Sequence, residues 1–170
     1  MRLLICTQAL DKDDSVLGFF HRWIEEFAER SESVIVICLF EGRHALPSNV
    51  HVYSLGKEKG AASRVVYAAR FLMQIWQQRR EYDSVFVHMN PEYAVLGGIL
   101  WRLWGKRIGL WYVHKSVTLS LRIATVFVHR VFTASKESFR LATSKLIITG
   151  HGIDTDFFMP DSIISRENHM

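Results

Sequence analysis

Polar and titratable residues follow most of the apolar runs in this 170-residue sequence, and any chemistry is to be sought at those positions. Gln8, Asp11, Asp13, Asp14 and Gly18 come after the first run, and His88, Asn90 and Glu92 after the fourth. His114, Lys115 and Ser116 follow the fifth, Ser135 and Lys136 the sixth, and His151 and Asp154 the last. An imidazole that titrates near neutral pH beside a lysine ammonium, as in His114-Lys115, suits proton transfer or charge stabilisation. A lone histidine at a strand end, such as His88, is more often a hydrogen-bonded structural residue. Both readings stay open for both histidines. Asp11-Lys12-Asp13 and Asp154-Thr155-Asp156 have the carboxylate-x-carboxylate spacing of some metal sites. A solvated loop and helix N-cap fit the first pair better, and no metal is assigned.

Nucleotide motifs are absent. No Gly-x-Gly-x-x-Gly follows the first run and no phosphate loop ending in Gly-Lys-Ser/Thr occurs, so a stand-alone dinucleotide- or triphosphate-binding domain loses its main support. Gly97-Gly98 falls inside a helical pattern, where each glycine costs about 1 kcal/mol of propensity and signals close packing or close ligand approach.

The elements that must position these residues are strands alternating with helices. Strand-like runs cover Leu3 to Thr7, Val34 to Phe40, His51 to Leu55, Ser84 to His88, Arg107 to Val113, Arg130 to Ala134 and Lys145 to Thr149. Several are continuously hydrophobic, as strands of a parallel sheet covered on both faces are. Leu17, Phe20, Ile24, Phe27 and Ala28 fall at helical spacing, as do Val65, Ala69, Leu72, Met73 and Trp76. A third helix is predicted from Pro91, whose fixed φ suits a first turn, with Glu92 favoured by the positive end of the helix dipole. A fourth spans Thr118 to His129, and a short fifth opens at Ser135. The pattern predicts an α/β, Rossmann-like, doubly wound and mainly parallel sheet over residues 1–150, followed by a tail without strand or helix pattern.

Composition sets the outer bounds. At 49% hydrophobic and 22% charged residues, the chain has the apolar content of one folded domain and not of a disordered segment. A net charge of +4 is too mild to argue for nucleic acid. Cys6 and Cys38 both lie in apolar runs and read as buried thiols of a reducing compartment. The apolar start contains Thr7 and Gln8 and meets Asp11 at once, so it lacks the length and cleavage site of a signal peptide. A cytoplasmic protein is expected, peripheral at the inner face of the cell membrane if it meets lipid.

The charge is local. Between Glu92 and Glu137 there is no acidic residue, while Arg102, Lys106, Arg107, Lys115, Arg122, Arg130 and Lys136 fall there, interleaved with Trp101, Trp104 and Trp111. Basic and aromatic side chains together suit an anionic membrane surface or an anionic ligand. Core tryptophans beside a solvated cationic face are the plainer alternative.

Three stretches now carry a resemblance. They are Leu3-Leu4-Ile5-Cys6-Thr7-Gln8 through Gly18-Phe19-Phe20-His21-Arg22-Trp23, the turn His88-Met89-Asn90-Pro91-Glu92-Tyr93, and the end from Val131-Phe132-Thr133-Ala134-Ser135-Lys136-Glu137-Ser138 to Gly152-Ile153-Asp154-Thr155-Asp156-Phe157. In this order and spacing they resemble the N-terminal domain of the retaining family 4 glycosyltransferases, which have the two-domain GT-B fold. The resemblance implies transfer of a sugar from a nucleotide-sugar to a sugar or lipid-linked acceptor, with retention and usually without a metal. It implies that the cleft histidine is His114, that Gly18, His88, Asn90, Glu92 and Lys115 lie on the acceptor side, and that Ser135, His151 and Asp154 lie near the interdomain cleft. Residues 151–170 would be the start of a hinge. The C-terminal donor-binding domain, whose paired glutamates at a spacing of eight are missing here, would lie outside the chain, leaving this half inactive alone and without a cofactor beyond the donor substrate. A non-catalytic peripheral membrane or lipid-binding α/β module is the alternative.

Overall fold

A computed structural model describes residues 1–60, 62–150 and 152. The apolar runs become strands β1 (Arg2–Leu10), β2 (Ser33–Glu41), β3 (Val50–Ser54), β4 (Ser84–His88), β5 (Arg107–Trp111), β6 (Arg130–Thr133) and β7 (Leu146–Ile148). The helices are α1 (Phe19–Glu29), α2 (Arg64–Gln77), α3 (Pro91–Leu103) and α4 (Leu119–Phe127). All seven strands are parallel, in the order β3-β2-β1-β4-β5-β6-β7, which is the doubly wound sheet expected.

That order dictates where the helices lie. The chain moves outward from β1 to β3, returns to β4 on the other side of β1, and then moves outward again to β7. Right-handed crossovers therefore put α1 on one face and α2, α3 and α4 on the other. The two cores agree with this. Phe20, Ile24 and Ala28 of α1 pack with Leu3, Ile5, Val34 and Val36, whereas Phe71, Ile75, Tyr93, Trp101 and Leu121 pack with Leu4, Cys6 and Ile37. Full burial of a side chain such as Phe20 or Ile24 contributes about 2 kcal/mol. On the α1 face an apolar groove of about 1010 Å³ lies beside β4, β5 and β6, bordered by Phe27, Phe86, Trp111 and Phe132, with Gly152 beyond β7 coming against Trp23 at its edge.

Helix starts follow side-chain chemistry. Ser63 Oγ accepts the Val66 N–H, Thr118 Oγ1 the Leu121 N–H and Asn90 Oδ1 the Glu92 N–H, and Pro91 opens α3 as expected. At Ser135 the expected fifth helix is only a 3-10 turn, Lys136–Ser138. The Ser135 hydroxyl bonds Ser138 Oγ instead of a backbone N–H, and Phe139 turns extended to bury its ring in the core. Strand β1 runs to Leu10 and not Thr7, because Ala9 and Leu10 still pair with Phe40 and Glu41 and are buried.

Several expectations about packing are settled here. Gly97 and Gly98 serve packing: a Cβ would sit 2.7 Å from the Trp101 ring at Gly97 and 2.6 Å from Phe127 of α4 at Gly98. Trp101 and Trp111 are core residues, and Trp104 is half-buried against Trp76, so the tryptophans do not form the surface half of a basic-aromatic patch. Trp101 Nε1 donates to the Tyr82 hydroxyl, which donates on to the Ile75 carbonyl. Cys6 and Cys38 are free and buried, and burial pushes the Cys38 thiol up to about 12. Among the described residues no helix is long and apolar enough to cross a membrane.

Candidate functional site

The strand order reverses at β1, between β2 and β4, and an open α/β sheet offers its ligand crevice at the carboxyl ends of such strands. A cleft of about 1400 Å³ lies there. Gln8 and Ala9 of β1, Leu39 and Phe40 of β2, and His88 of β4 form its floor side. Arg64, Tyr67 and Phe71 of α2, Tyr93 and Leu96 of α3, and Ser120 of α4 form its wall. Asp14 to Leu17 close one rim and His114 another.

His88 ends β4 against β1. Its Nδ1 lies 3.1 Å from Thr7 Oγ1, and its ring stacks on Phe20 at 3.6 Å with the planes 6° apart. The Thr7 hydroxyl also faces the Ala9 carbonyl at 3.4 Å. With the hydroxyl donating there, the His88 Nδ1–H donates to Thr7, and Nε2 is left as a buried acceptor without a partner among the described residues. Burial pushes the imidazole down to about 3, so it is neutral at physiological pH. The Tyr93 hydroxyl donates to the Thr7 carbonyl, tying α3 to the same point of β1.

Between His88 and α3, Met89 holds φ at 61°, the left-handed region that costs a side-chain-bearing residue about 1–2 kcal/mol. Its N–H donates to the Trp111 carbonyl at 2.8 Å, and the Asn90 N–H to the His88 carbonyl at 2.7 Å. This bend turns the chain from sheet to helix within the cleft lining. Glu92 stands exposed in the first turn of α3, where the positive end of the helix dipole favours its charge.

His114 projects from the loop after β5. The loop is held by the Tyr112 hydroxyl, which donates to the Ser116 carbonyl at 2.9 Å, and the Tyr112 ring meets the His114 ring edge-on at 5.5 Å. His114 is exposed, and no hydrogen bond to its imidazole is formed among the described residues. Lys115 is exposed on the same loop, outside the cleft lining.

The structure thus brings His88, Asn90, Glu92 and His114 around one cleft, with Gln8 and Asp14 beside them. Gly18 does not line it. As the residue preceding α1 it has an ordinary helical backbone, and its N–H donates to the Asp14 carbonyl, from which a Cβ would stand only 2.5 Å. Glycine is needed there so that the Asp11–Gly18 loop can close on itself. Asp11 and Asp14 are turn-formers: Asp11 Oδ1 accepts the Asp13 N–H, and Asp14 Oδ1 accepts those of Val16 and Leu17. Those last two bonds hold the Asp14 carboxyl below its ordinary range. Ser135 sits in the turn after β6, outside the cleft lining. His151, Asp154 and the expected hinge beyond Gly152 lie outside the described residues. Thr7, Phe20, Arg64 and Tyr67 carry no sequence signal that marks them for the site.

No family model matches the sequence, and no curated protein matches it. Solved structures do. The chain matches Anabaena Alr3699/HepE, crystallised in complex with UDP, at TM-score 0.65 and 16% identity, covering 97% of this chain and 48% of that one. The chain has the fold of half a GT-B protein. It also matches Acinetobacter baumannii MurG at TM-score 0.56 and 13% identity, covering 88% of this chain and 45% of that one. The UDP-GlcNAc 2-epimerase from Methanocaldococcus jannaschii matches at 0.53 and 11%, covering 81% and 40%. The likeness is one of fold, and the chain spans about half the length of these proteins or less.

Proposed function

We propose that this chain is the acceptor-binding half of a glycosyltransferase of the family 4 type, which transfers a sugar from a nucleotide-sugar with retention once a donor-binding half completes the cleft. The observation that supports this reading is the cleft itself. At the carboxyl ends of β1, β4 and β5 it gathers His88, Asn90, Glu92 and His114, in a fold shared with a protein crystallised with UDP and with UDP-glucose. A sugar acceptor needs several hydrogen-bonding groups around an aromatic or apolar wall, and Gln8, Asn90, Glu92 and Tyr67 beside Phe40, Phe71 and Leu96 are such a set.

Each side chain has a part in this reading. Glu92 and Asn90 orient acceptor hydroxyls. His114, whose ring nitrogens have no protein partner among the described residues, faces the reacting sugar from the rim. Donor charge is neutralised from the other half, and with geometry that supplies most of the rate. The domain assignment is therefore 1–150 as the acceptor half, with 151–170 leading toward the donor half. The protein works in the cytoplasm and needs no cofactor beyond its donor substrate.

Two measurements test this. Titration of the isotope-labelled chain with sugar and lipid-linked sugar acceptors should shift the amide signals of Gln8, Glu92 and His114 and leave β7 unmoved. Incubation with a nucleotide-sugar and the same acceptors should give no transfer until a donor-binding half is added. Turnover by the isolated chain, or acceptor shifts confined to other surfaces, would sink the proposal.

A further inference from the structure

The layer formed by α2, α3 and α4 is apolar on both of its sides. Toward the sheet it buries Phe71, Ile75, Ala94, Trp101, Leu121 and Ala124. Away from the sheet each helix carries a second stripe at helical spacing: Met73 and Trp76 on α2, Ile99 and Leu103 on α3, Ile123 and Val126 on α4, all exposed, Leu103 to 77%. Single exposed apolar residues are ordinary on a protein surface. Paired stripes on three packed helices are not, and a helix hydrophobic all round expects a cover.

Charge identifies the cover. Arg79 stacks over the Trp76 ring at 4.7 Å, and Arg102 and Arg122 flank the α3 and α4 stripes. The three helices contain one carboxylate, Glu92, at the cleft end of α3. Beyond the other end of α2 lie Glu81 and Asp83, and Asp83 is already bound by Arg2. A second copy of the chain would bring like charges together, whereas an anionic lipid surface matches both the apolar stripes and the arginines. We infer that the outer face of α2, α3 and α4 seats this protein on an anionic membrane surface. The stripes enter the headgroup boundary and the arginines meet lipid phosphates.

The placement has a consequence for the cleft. Arg64, Leu96 and Ser120, from the amino-terminal turns or first half of the same three helices, line its wall. The cleft mouth therefore opens at the rim of the membrane-facing layer, and an acceptor anchored in the bilayer could enter without leaving it. That consequence rests on the transfer reading; the seating itself does not.

Co-sedimentation of the full 170-residue chain with lipid vesicles tests the seating. The chain should pellet with phosphatidylglycerol-rich vesicles and remain in solution with pure phosphatidylcholine, and raised salt should release it. Arg122→Gln should weaken partitioning about fivefold. Leu103→Ser with Val126→Ser should weaken it at least about tenfold, with the circular dichroism spectrum unchanged. Absence of binding to anionic vesicles, binding indifferent to lipid charge, or binding unaltered in both variants would overturn the inference. So would concentration-dependent self-association abolished by the Leu103 and Val126 changes without any vesicle binding.

Discussion

Thr7 Oγ1 and His88 Nδ1 meet at 3.1 Å across the neighbouring parallel strands β1 and β4, at the point where the strand order reverses. The pair holds a neutral imidazole against Phe20 and joins α1, the sheet and the cleft lining through one side chain. The histidine's ordinary value is 6.5, and burial lowers it to about 3 in the folded chain. The unfolded chain therefore takes up the proton first as pH falls. The stability that neutral His88 supports is fully present above about pH 6.5 and is lost progressively toward pH 3. Urea unfolding at pH 7 and pH 5 should show a loss of about 2 kcal/mol from this group. In His88→Gln the loss over that interval should shrink by about that amount. An equal pH dependence in both proteins would show that His88 is not the titrating group.

His114 is the opposite kind of histidine. It is exposed, its loop is held by the Tyr112 hydroxyl on the Ser116 carbonyl and not by its own ring, and it touches the core at the edge of the Tyr112 ring. His114→Ala should change unfolding free energy by less than about 0.5 kcal/mol. If the proposed transfer reading holds, the same change should lower turnover about 100-fold or more once a donor-binding half is supplied, as loss of a group that stabilises developing charge does. Full turnover with intact stability would remove His114 from the reacting centre.

The fold was legible because its signals are local. Continuous apolar runs, Pro91 after Asn90, and Thr118 before an apolar stripe each announce an element within a few residues. That His88, Asn90, Glu92 and His114 come together around one cleft was legible for a related reason: residues that end parallel strands share one edge of the sheet whatever the strand order. Thr7 could not be found this way, since its partner lies 81 residues along the chain and its own surroundings read as plain strand. Gly18, which the resemblance puts on the acceptor side, lies outside the cleft lining, and a glycine after a strand signals close approach without saying what approaches. Here it is the Asp14 carbonyl. The tryptophans of the acid-free stretch suggested a surface through residue type alone, and burial against Phe71 and Trp23 placed Trp101 and Trp111 in the interior.

Gly98 offers a test of how tightly α3 and α4 are joined. In an exposed helix, glycine to alanine gains about 1 kcal/mol of propensity. At Gly98 the new methyl would stand 2.6 Å from Phe127 Cγ, so the helices must part. Gly98→Ala should therefore destabilise by about 1–3 kcal/mol. Combined with Phe127→Leu it should cost less than the two single changes together, because the methyl then occupies space the ring has left. Additive losses in that double-mutant cycle would mean that the two side chains do not compete for space.

Gly18 tests the loop that forms the cleft rim. Its φ of −57° suits any residue, so backbone freedom is not why glycine stands there. The Asp14 carbonyl at 2.5 Å and the Lys12 carbonyl at 3.0 Å from an added Cβ are backbone atoms that no rotamer change can move aside. Gly18→Ala must displace the Asp11–Gly18 loop, lengthening the Gly18 N–H bond to Asp14, and a loss of about 1–3 kcal/mol is expected in urea unfolding. Asp14 to Leu17 line the cleft, so on the proposed reading the same variant should weaken acceptor binding while leaving the amide signals of β5 and β6 in place. Unchanged stability would show that the loop yields freely. Unchanged acceptor affinity in a destabilised variant would separate the loop from the site and leave the cleft's recognition to His88, Asn90, Glu92 and His114.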